Sequence, residues 1–379
     1  DKIRIAVIGT GIMGHNDLET ALKVPGVELA AACDLYTGRL QRMKEKYGTD
    51  LFTTKDYREI LEKKDIDAVI IATSDNWHSR IAVDALNKGK HVYCEKPMVH
   101  RLSQGPEVIA AWKKSGKIMQ VGSQGISGAS FAKARELYQA GEIGKLNCIE
   151  ATYDRQSALG AWQYTFPTDE SPQTVDWDRY VALMNPKPKY DPKKFFWWRN
   201  YKDFGTGMSG DLFVHLLTGI HYVTGSKGPV KIFASGQLAY WKDGRDVPDV
   251  LVAIMDYPET KEHPAFNLSL RVNFVDGTGG TNYLRMVGSE GSMTVEWDKV
   301  TLYRNRMRVD TTDPLLQTKK DDGKQYVYER KHMMEPEKLE YEAEKGYRGA
   351  HFDHFYNMFT AMRNKGKVAE DALFGFRAA

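Results

Sequence analysis

Apolar residues along the first third of the chain alternate between two textures. Short, mostly apolar runs at residues 3–8, 27–33, 68–72, 91–94 and 118–121 read as strands. Between them the apolar positions follow a helical period. One helix is expected from Ile12 to about Lys23, stopped by Pro25-Gly26, and in the next Leu40, Met43 and Tyr47 trace one face. Thr54 is placed to cap a helix carrying Tyr57, Ile60 and Leu61. Ile81, Ala82, Ala85 and Leu86 line another that Gly89 closes, and Ser103 is placed to cap a last one that Gly116 ends. Such alternation implies right-handed crossovers and a parallel, doubly wound α/β sheet, closing near residue 123.

The texture then changes. After a helix at 131–140, strand-like runs at 146–153, 230–239, 250–257, 268–274, 281–287 and 292–295 follow one another without long helices between them, which predicts a mostly antiparallel sheet. A Pro-rich loop at 185–192 and a highly charged stretch at 319–345 read as surface excursions. The expected organisation is a doubly wound domain at 1–123 and a second domain, mostly antiparallel in its sheet, at 124–379.

Composition narrows the picture. At 379 residues and 42% hydrophobic content the chain can bury a large core, and a formal charge of +3 with scattered Lys/Arg pairs implies no nucleic-acid partner. Cys33, Cys94 and Cys148 lack CxxC spacing and read as reduced, buried thiols. No run of 18 apolar residues exists, so no membrane span is expected. The chain begins at Asp1 and stops in an apparently helical stretch, so both ends are expected to be trimmed; the cytoplasm is the expected compartment, or the periplasm or exterior if a signal segment was removed.

Chemistry concentrates where strands end. The first strand opens into Gly9-Thr10-Gly11-Ile12-Met13-Gly14, and Asp34 follows twenty residues after the last glycine, at the end of the second strand. Gly9 suits a tight strand-to-helix turn, Gly11 the approach of a pyrophosphate, and Gly14 the close packing of helix on strand. The pyrophosphate would sit on the helix N-terminus. Asp34 can accept both ribose hydroxyls of NAD and repels a 2′-phosphate, so NAD is favoured, while Arg39 keeps NADP open.

Ligands of such sheets lie at the carboxyl ends of the strands, which makes Thr73, Ser74, Asn76 and His78 after one strand, and Glu95 and Lys96 after the next, candidate cofactor contacts. Lys96 could stabilise a developing alkoxide or be a surface ion-pair lysine. Asp211 and His215, at i and i+4, share a face if they open a helix. An imidazole of ordinary pKa could take a hydroxyl proton; a cap acid and a core histidine are the plainer alternative. Tyr153, Arg155, Trp198 and Arg199 are weaker candidates for substrate contacts, and the aromatics at 195–198 could stack on a sugar ring or simply pack a loop. His351-Phe-Asp-His354 has metal-like residue types, but one HxDH on an amphipathic helix reads as surface and core contacts, so no metal is expected.

The glycine turn, Asn76-Trp-His78, Gly89-Lys-His-Val-Tyr-Cys-Glu-Lys-Pro97 and Asp211-x-x-x-His215 occur in this order and resemble the Gfo/Idh/MocA-type oxidoreductases, the family of glucose-fructose oxidoreductase and inositol dehydrogenase. The resemblance extends to Asp176-Trp-Asp-Arg-Tyr180 and Phe195-Phe-Trp-Trp-Arg199, similar to a subgroup with a long insertion. It implies a second domain with a large open sheet for substrate binding and oligomerisation, and NAD-dependent transfer of a hydride from a secondary hydroxyl of a sugar or polyol. Lys96 would be the lysine of the Glu-Lys-Pro motif, Asp211 its partner and His215 the acid/base, with a cis Lys96-Pro97 bond and a homodimer or homotetramer. Phe213 stands where many relatives have glycine, which bears on pocket shape. Two alternatives remain: redox-assisted glycoside cleavage or epimerisation on a tightly held NAD, and a non-catalytic NAD-binding sensor.

Overall fold

The computed structural model describes residues 2–310, 317–319, 325–327 and 330–379. Its first part runs β1 (Ile3–Ile8), α1 (Ile12–Ala21), β2 (Val27–Cys33), α2 (Thr37–Tyr47), β3 (Phe52–Thr54), α3 (Tyr57–Leu61), β4 (Ala68–Ile71), α4 (Asp75–Asn87), β5 (His91–Cys94), α5 (Gly105–Ser115) and β6 (Met119–Val121). All neighbours pair in parallel in the order β3-β2-β1-β4-β5-β6. The order reverses between β1 and β4, so a crevice opens at their carboxyl ends. The central strands are largely apolar because both faces are covered: Ala6, Ile8, Val69, Ile71 and Val92 face one core, Ile5, Val7, Ala68, Ile70 and Tyr93 the other.

Two expected caps are corrected. Thr54 ends β3, a strand the apolar pattern did not reveal, and its hydroxyl accepts from the Asp56 amide; the cap of α3 is Asp56, whose carboxylate accepts from the Arg58 amide at 3.0 Å. Ser103 lies inside a 3-10 turn, Leu102–Gln104, and it is the Gln104 amide oxygen that takes the His100 and Arg101 N–H groups.

The second part comprises α6 (Ala129–Gln139), β7 (Leu146–Tyr153), the short α7 (Trp177–Tyr180) and α8 (Pro192–Phe196), α9 (Val214–Thr224), β8 (Lys231–Gln237), β9 (Val250–Tyr257), β10 (Phe266–Asn273), β11 (Asn282–Gly288), β12 (Gly291–Val295), β13 (Lys299–Asp310), the small hairpin β14 (Gln317–Lys319) and β15 (Gln325–Val327), β16 (Arg330–Glu342), α10 (Ala350–Asn364) and α11 (Ala372–Ala378). Eight strands form one sheet in the order β16-β13-β12-β11-β7-β10-β9-β8, antiparallel except for the parallel pair β7–β10. The helices α6 and α9 cover one face.

The charged stretch expected as a surface excursion is corrected in part: β16 is a full strand paired with β13, whose Val300 and Leu302 are buried. Leu339 and Tyr341 pack against the core while Lys338 and Glu340 alternate with them, so the density of charge hid a period of two. Residues 320–324 of that stretch lie outside the described residues. Cys33 and Cys94 are buried as expected, whereas Cys148 is only half-buried.

Later segments complete the first core. Val175, Trp177, Tyr180, Phe195, Phe196 and Phe204 pack on it, and α10 lays Phe352, Phe355 and Phe359 over the opposite face, with Phe355 stacked on Tyr93. Within α10, His351 pairs with Asp17 at 2.9 Å and His354 bonds the Val121 carbonyl at 2.7 Å, so the HxDH residues tie elements together. Among the described residues no group of His, Cys, Asp or Glu is placed to hold a metal, and no helix is long and apolar enough to cross a membrane.

Candidate active site

A crevice of about 1190 Å³ lies over the carboxyl ends of β1, β2, β4 and β5 and extends to Asp211 and His215. Its floor is the glycine turn. Gly9 has φ +90°, and a Cβ there would lie 2.5 Å from the Ala72 carbonyl oxygen. A Cβ on Gly14 would lie 1.9 Å from the Gly9 carbonyl oxygen, so Gly14 seats α1 on the strand and does not itself line the crevice. Gly11 caps α1 without a side chain, which leaves the first-turn amides free for an anion, and Thr10, Gly11, Ile12 and Met13 all face the opening. These residues fit a dinucleotide pyrophosphate.

Asp34 closes β2. Its carboxylate accepts from the Thr10 amide at 2.8 Å and the Tyr36 amide at 2.9 Å, and Arg39 stands 3.5 Å away. The Arg39 guanidinium also faces the rings of Phe195 and Phe196. Thr73, Ser74, His78 and Glu95 line the crevice. Asn76 does not: it is buried at the start of α4, where its amide oxygen accepts from Ser74 Oγ at 2.7 Å. The His78 ring spans the Thr73 and Pro97 carbonyl oxygens, joining the ends of β4 and β5, and burial lowers its pKa. Burial and then Asp17 push the Glu95 carboxyl up to about 8, so it is neutral at pH 7. It accepts from Gln124 Nε2 at 2.6 Å.

Lys96 follows β5, and the Lys96-Pro97 bond is cis, as the resemblance implies. Its ammonium donates to both the carboxylate and the carbonyl oxygen of Asp211 at 2.8 Å. Arg199 Nε donates to the same carboxylate oxygen at 3.1 Å. Burial alone would raise the Asp211 pKa, but Lys96 and Arg199, with Arg155 beyond them, hold it well below the usual carboxylate range. Burial likewise works against the Arg199 cation, and Asp211 overcomes it.

Two expectations about this pair are corrected. Asp211 belongs to a π-helical turn, Ser209–Phe213, ahead of α9, rather than to one regular helix with His215, and it bonds Lys96, as the resemblance implies, and also Arg199. The His215 pKa is not ordinary: burial first, then Lys96, with Arg155 adding and Asp211 opposing, lower it to about 3. Its Nδ1 is buried without a hydrogen-bond partner among the described residues, and its ring lies 6.4 Å from those of Tyr153 and Trp297.

Of the weaker candidates, Arg155, Trp198 and Arg199 line the crevice, whereas Tyr153 does not and instead flanks His215. Phe195 and Phe196 both pack the core and face the opening, and the Arg199 guanidinium lies 4.2 Å from the Trp198 ring centre. Leu159, Trp162 and Tyr164 also line the crevice and were not anticipated. They sit in an irregular segment whose apolar residues have no period to mark them.

Residues 3–123 match the profile of the GFO_IDH_MocA oxidoreductase family, described as having an NAD-binding Rossmann fold. The chain is similar to inositol 2-dehydrogenase of Salmonella typhimurium, 31% identical over 175 residues that cover 46% of this chain and 50% of the relative. It is also similar to myo-inositol 2-dehydrogenase of Thermotoga maritima, 33% identical over 150 residues covering 40% and 45%. The chain thus spans about half the length of the curated relatives it matches. The fold of the whole chain is shared with levoglucosan dehydrogenase, solved in complex with NADH and levoglucosan, at a TM-score of 0.70 and 18% identity over 100% of this chain and 94% of that one. Residues 3–123 of this chain are thus a dinucleotide-binding domain of the Gfo/Idh/MocA oxidoreductase type.

Proposed function

We propose that the protein is a dehydrogenase that oxidises a secondary hydroxyl of a sugar or polyol with NAD. The observation that carries this reading is that Lys96, Asp211 and His215 line the same crevice as Asp34 and the helix N-terminus at Gly11, which has no side-chain cap. Thr10 to Met13 would hold the pyrophosphate and Asp34 the ribose, where a 2′-phosphate would meet a carboxylate already flanked by Arg39. The nicotinamide supplies the hydride acceptor when bound.

Lys96 is a positioning and charge-stabilising group. Fixed by two bonds to Asp211, its ammonium can donate its remaining proton position to a substrate oxygen and lower the energy of a developing alkoxide. His215 receives the hydroxyl proton. Its imidazole is neutral and therefore always ready to accept, though as a weak base it depends on Lys96 to acidify the hydroxyl. Leu159 and Trp198 offer apolar surface to a ring.

The test is to purify the protein, release and identify any nucleotide, and screen sugars and polyols for NADH formation. Lys96→Met is expected to lower kcat by roughly 10² to 10⁴ with NADH affinity kept. Product formed without NADH accumulation would replace this reading with a redox-assisted reaction on held NAD. Binding of NADH without turnover of any hydroxyl substrate would reduce the protein to a sensor.

A further inference from the structure

The charges around His215 do not cancel. Lys96 and Arg199 share the Asp211 carboxylate, and Asp75, held by the Thr206 amide and hydroxyl, adds its field to Arg199. Both cations are thus held by one carboxylate, with Asp75 acting on Arg199 only at a distance. Arg155 is the one left over: its guanidinium lines the crevice, and among the described residues its only hydrogen bond is from one terminal nitrogen to the Gly160 carbonyl at 3.2 Å. The neighbouring carboxylate, Asp154, is engaged by Arg271 at 2.5 Å.

Arg155 is also held in place. Its guanidinium carbon lies 5.2 Å from the centre of the Tyr153 ring and 5.9 Å from that of Phe274, and its stem packs against Gly160, where a Cβ would come within 3.2 Å of the Arg155 Cβ. A guanidinium with free donors, fixed in a cleft beside the reacting groups, is preorganised for bidentate capture of an anion. Its charge already reaches both Asp211 and His215.

From this arrangement we infer that the substrate is an acidic carbohydrate, a sugar or polyol bearing one carboxylate, and that Arg155 binds that carboxylate while the oxidised hydroxyl lies against His215 and Lys96. The inference rests on the proposed dehydrogenase reading and narrows its substrate class. A carboxylate on Arg155 also serves the chemistry. Part of the positive field that keeps the imidazole a weak base is offset when the acid is bound, so His215 becomes a better proton acceptor in the complex than in the free protein.

The experiment titrates D-glucuronate, D-galacturonate and D-gluconate against D-glucose, D-galactose and myo-inositol into the NADH-loaded protein by calorimetry, and follows NADH formation in parallel with NAD. At least one acid is expected to bind about tenfold or more tighter than its neutral counterpart, with an advantage that shrinks as salt rises. Arg155→Gln is expected to erase that preference by raising KM for the acid more than it lowers kcat, and Arg155→Lys to restore part of it. Equal binding of acids and neutral sugars, binding of neutral sugars alone, no binding of any acid, or a preference that survives in Arg155→Gln each overturns the inference. NADH formed from neutral sugars without acid preference sinks the inference and leaves the dehydrogenase standing. Arg155-dependent acid binding with no NADH formed does the reverse.

Discussion

His215 stays a neutral imidazole through the physiological range because burial, then Lys96 and Arg155, disfavour its cation and lower its pKa to about 3. Since its folded value lies below the ordinary 6.5, the unfolded chain takes up this proton first as pH falls, and the residue weakens the fold on the acid side. For catalysis the limb of this base falls far below that of a typical histidine. The kcat/KM profile of the free protein is expected to carry no imidazole limb between roughly pH 5 and 8. An apparent pKa near 6.5 in that profile, lost in His215→Asn, would contradict this. The residue types at 96, 211 and 215 were legible in the sequence because each follows a strand or opens a helix. The Lys96 bond to Asp211, which spans 115 positions, came only from the resemblance, and the second partner of Asp211, Arg199, was not foreseen, because only folding brings these residues together.

At the level of elements, the seat of α1 on β1 depends on the missing side chain at Gly14. Gly14→Ala would drive a Cβ into the Gly9 carbonyl oxygen, backbone that cannot step aside. The expected cost is about 1–3 kcal/mol by urea unfolding, and NADH affinity measured by fluorescence should fall with it as the turn shifts. Unchanged stability and affinity would show that α1 sits further from the strand. The glycine spacing announced this packing directly, because it follows from local geometry. The π-helical turn at Ser209–Phe213 gave no such notice. An i, i+4 reading assumes 3.6 residues per turn, and the added residue of a π turn re-aims Asp211 toward Lys96.

Across the whole molecule, Glu370 fastens the C-terminal segment to β6. Its carbonyl accepts from the Val121 amide and its carboxyl from the Ser123 amide, while Oε1 has no partner and burial pushes its pKa up to about 8. Because that value is raised above 4.5, the folded state keeps a proton that the unfolded chain loses, so stability from this group is full at acid pH and declines until the folded group ionises near 8. Glu95 carries the same sign. Unfolding measured from pH 5 to 8 should therefore show the wild type losing up to a few kcal/mol relative to Glu370→Gln, and parallel curves would refute it. On the outer face of the second sheet Phe233, Val252 and Ile254 are exposed side by side, which predicts self-association by sedimentation and its loss in Ile254→Arg. The chain's own order of apolar runs, glycines and strand-end residues determined the parallel sheet, the nucleotide turn and where chemistry would gather, because each is set by contacts a few residues long. Tertiary structure alone decided how α10 and α11 complete the first core, how β16 hides among charges, and which cation at the site is left without a carboxylate. Those outcomes depend on distances between residues far apart in the chain, which no local pattern encodes.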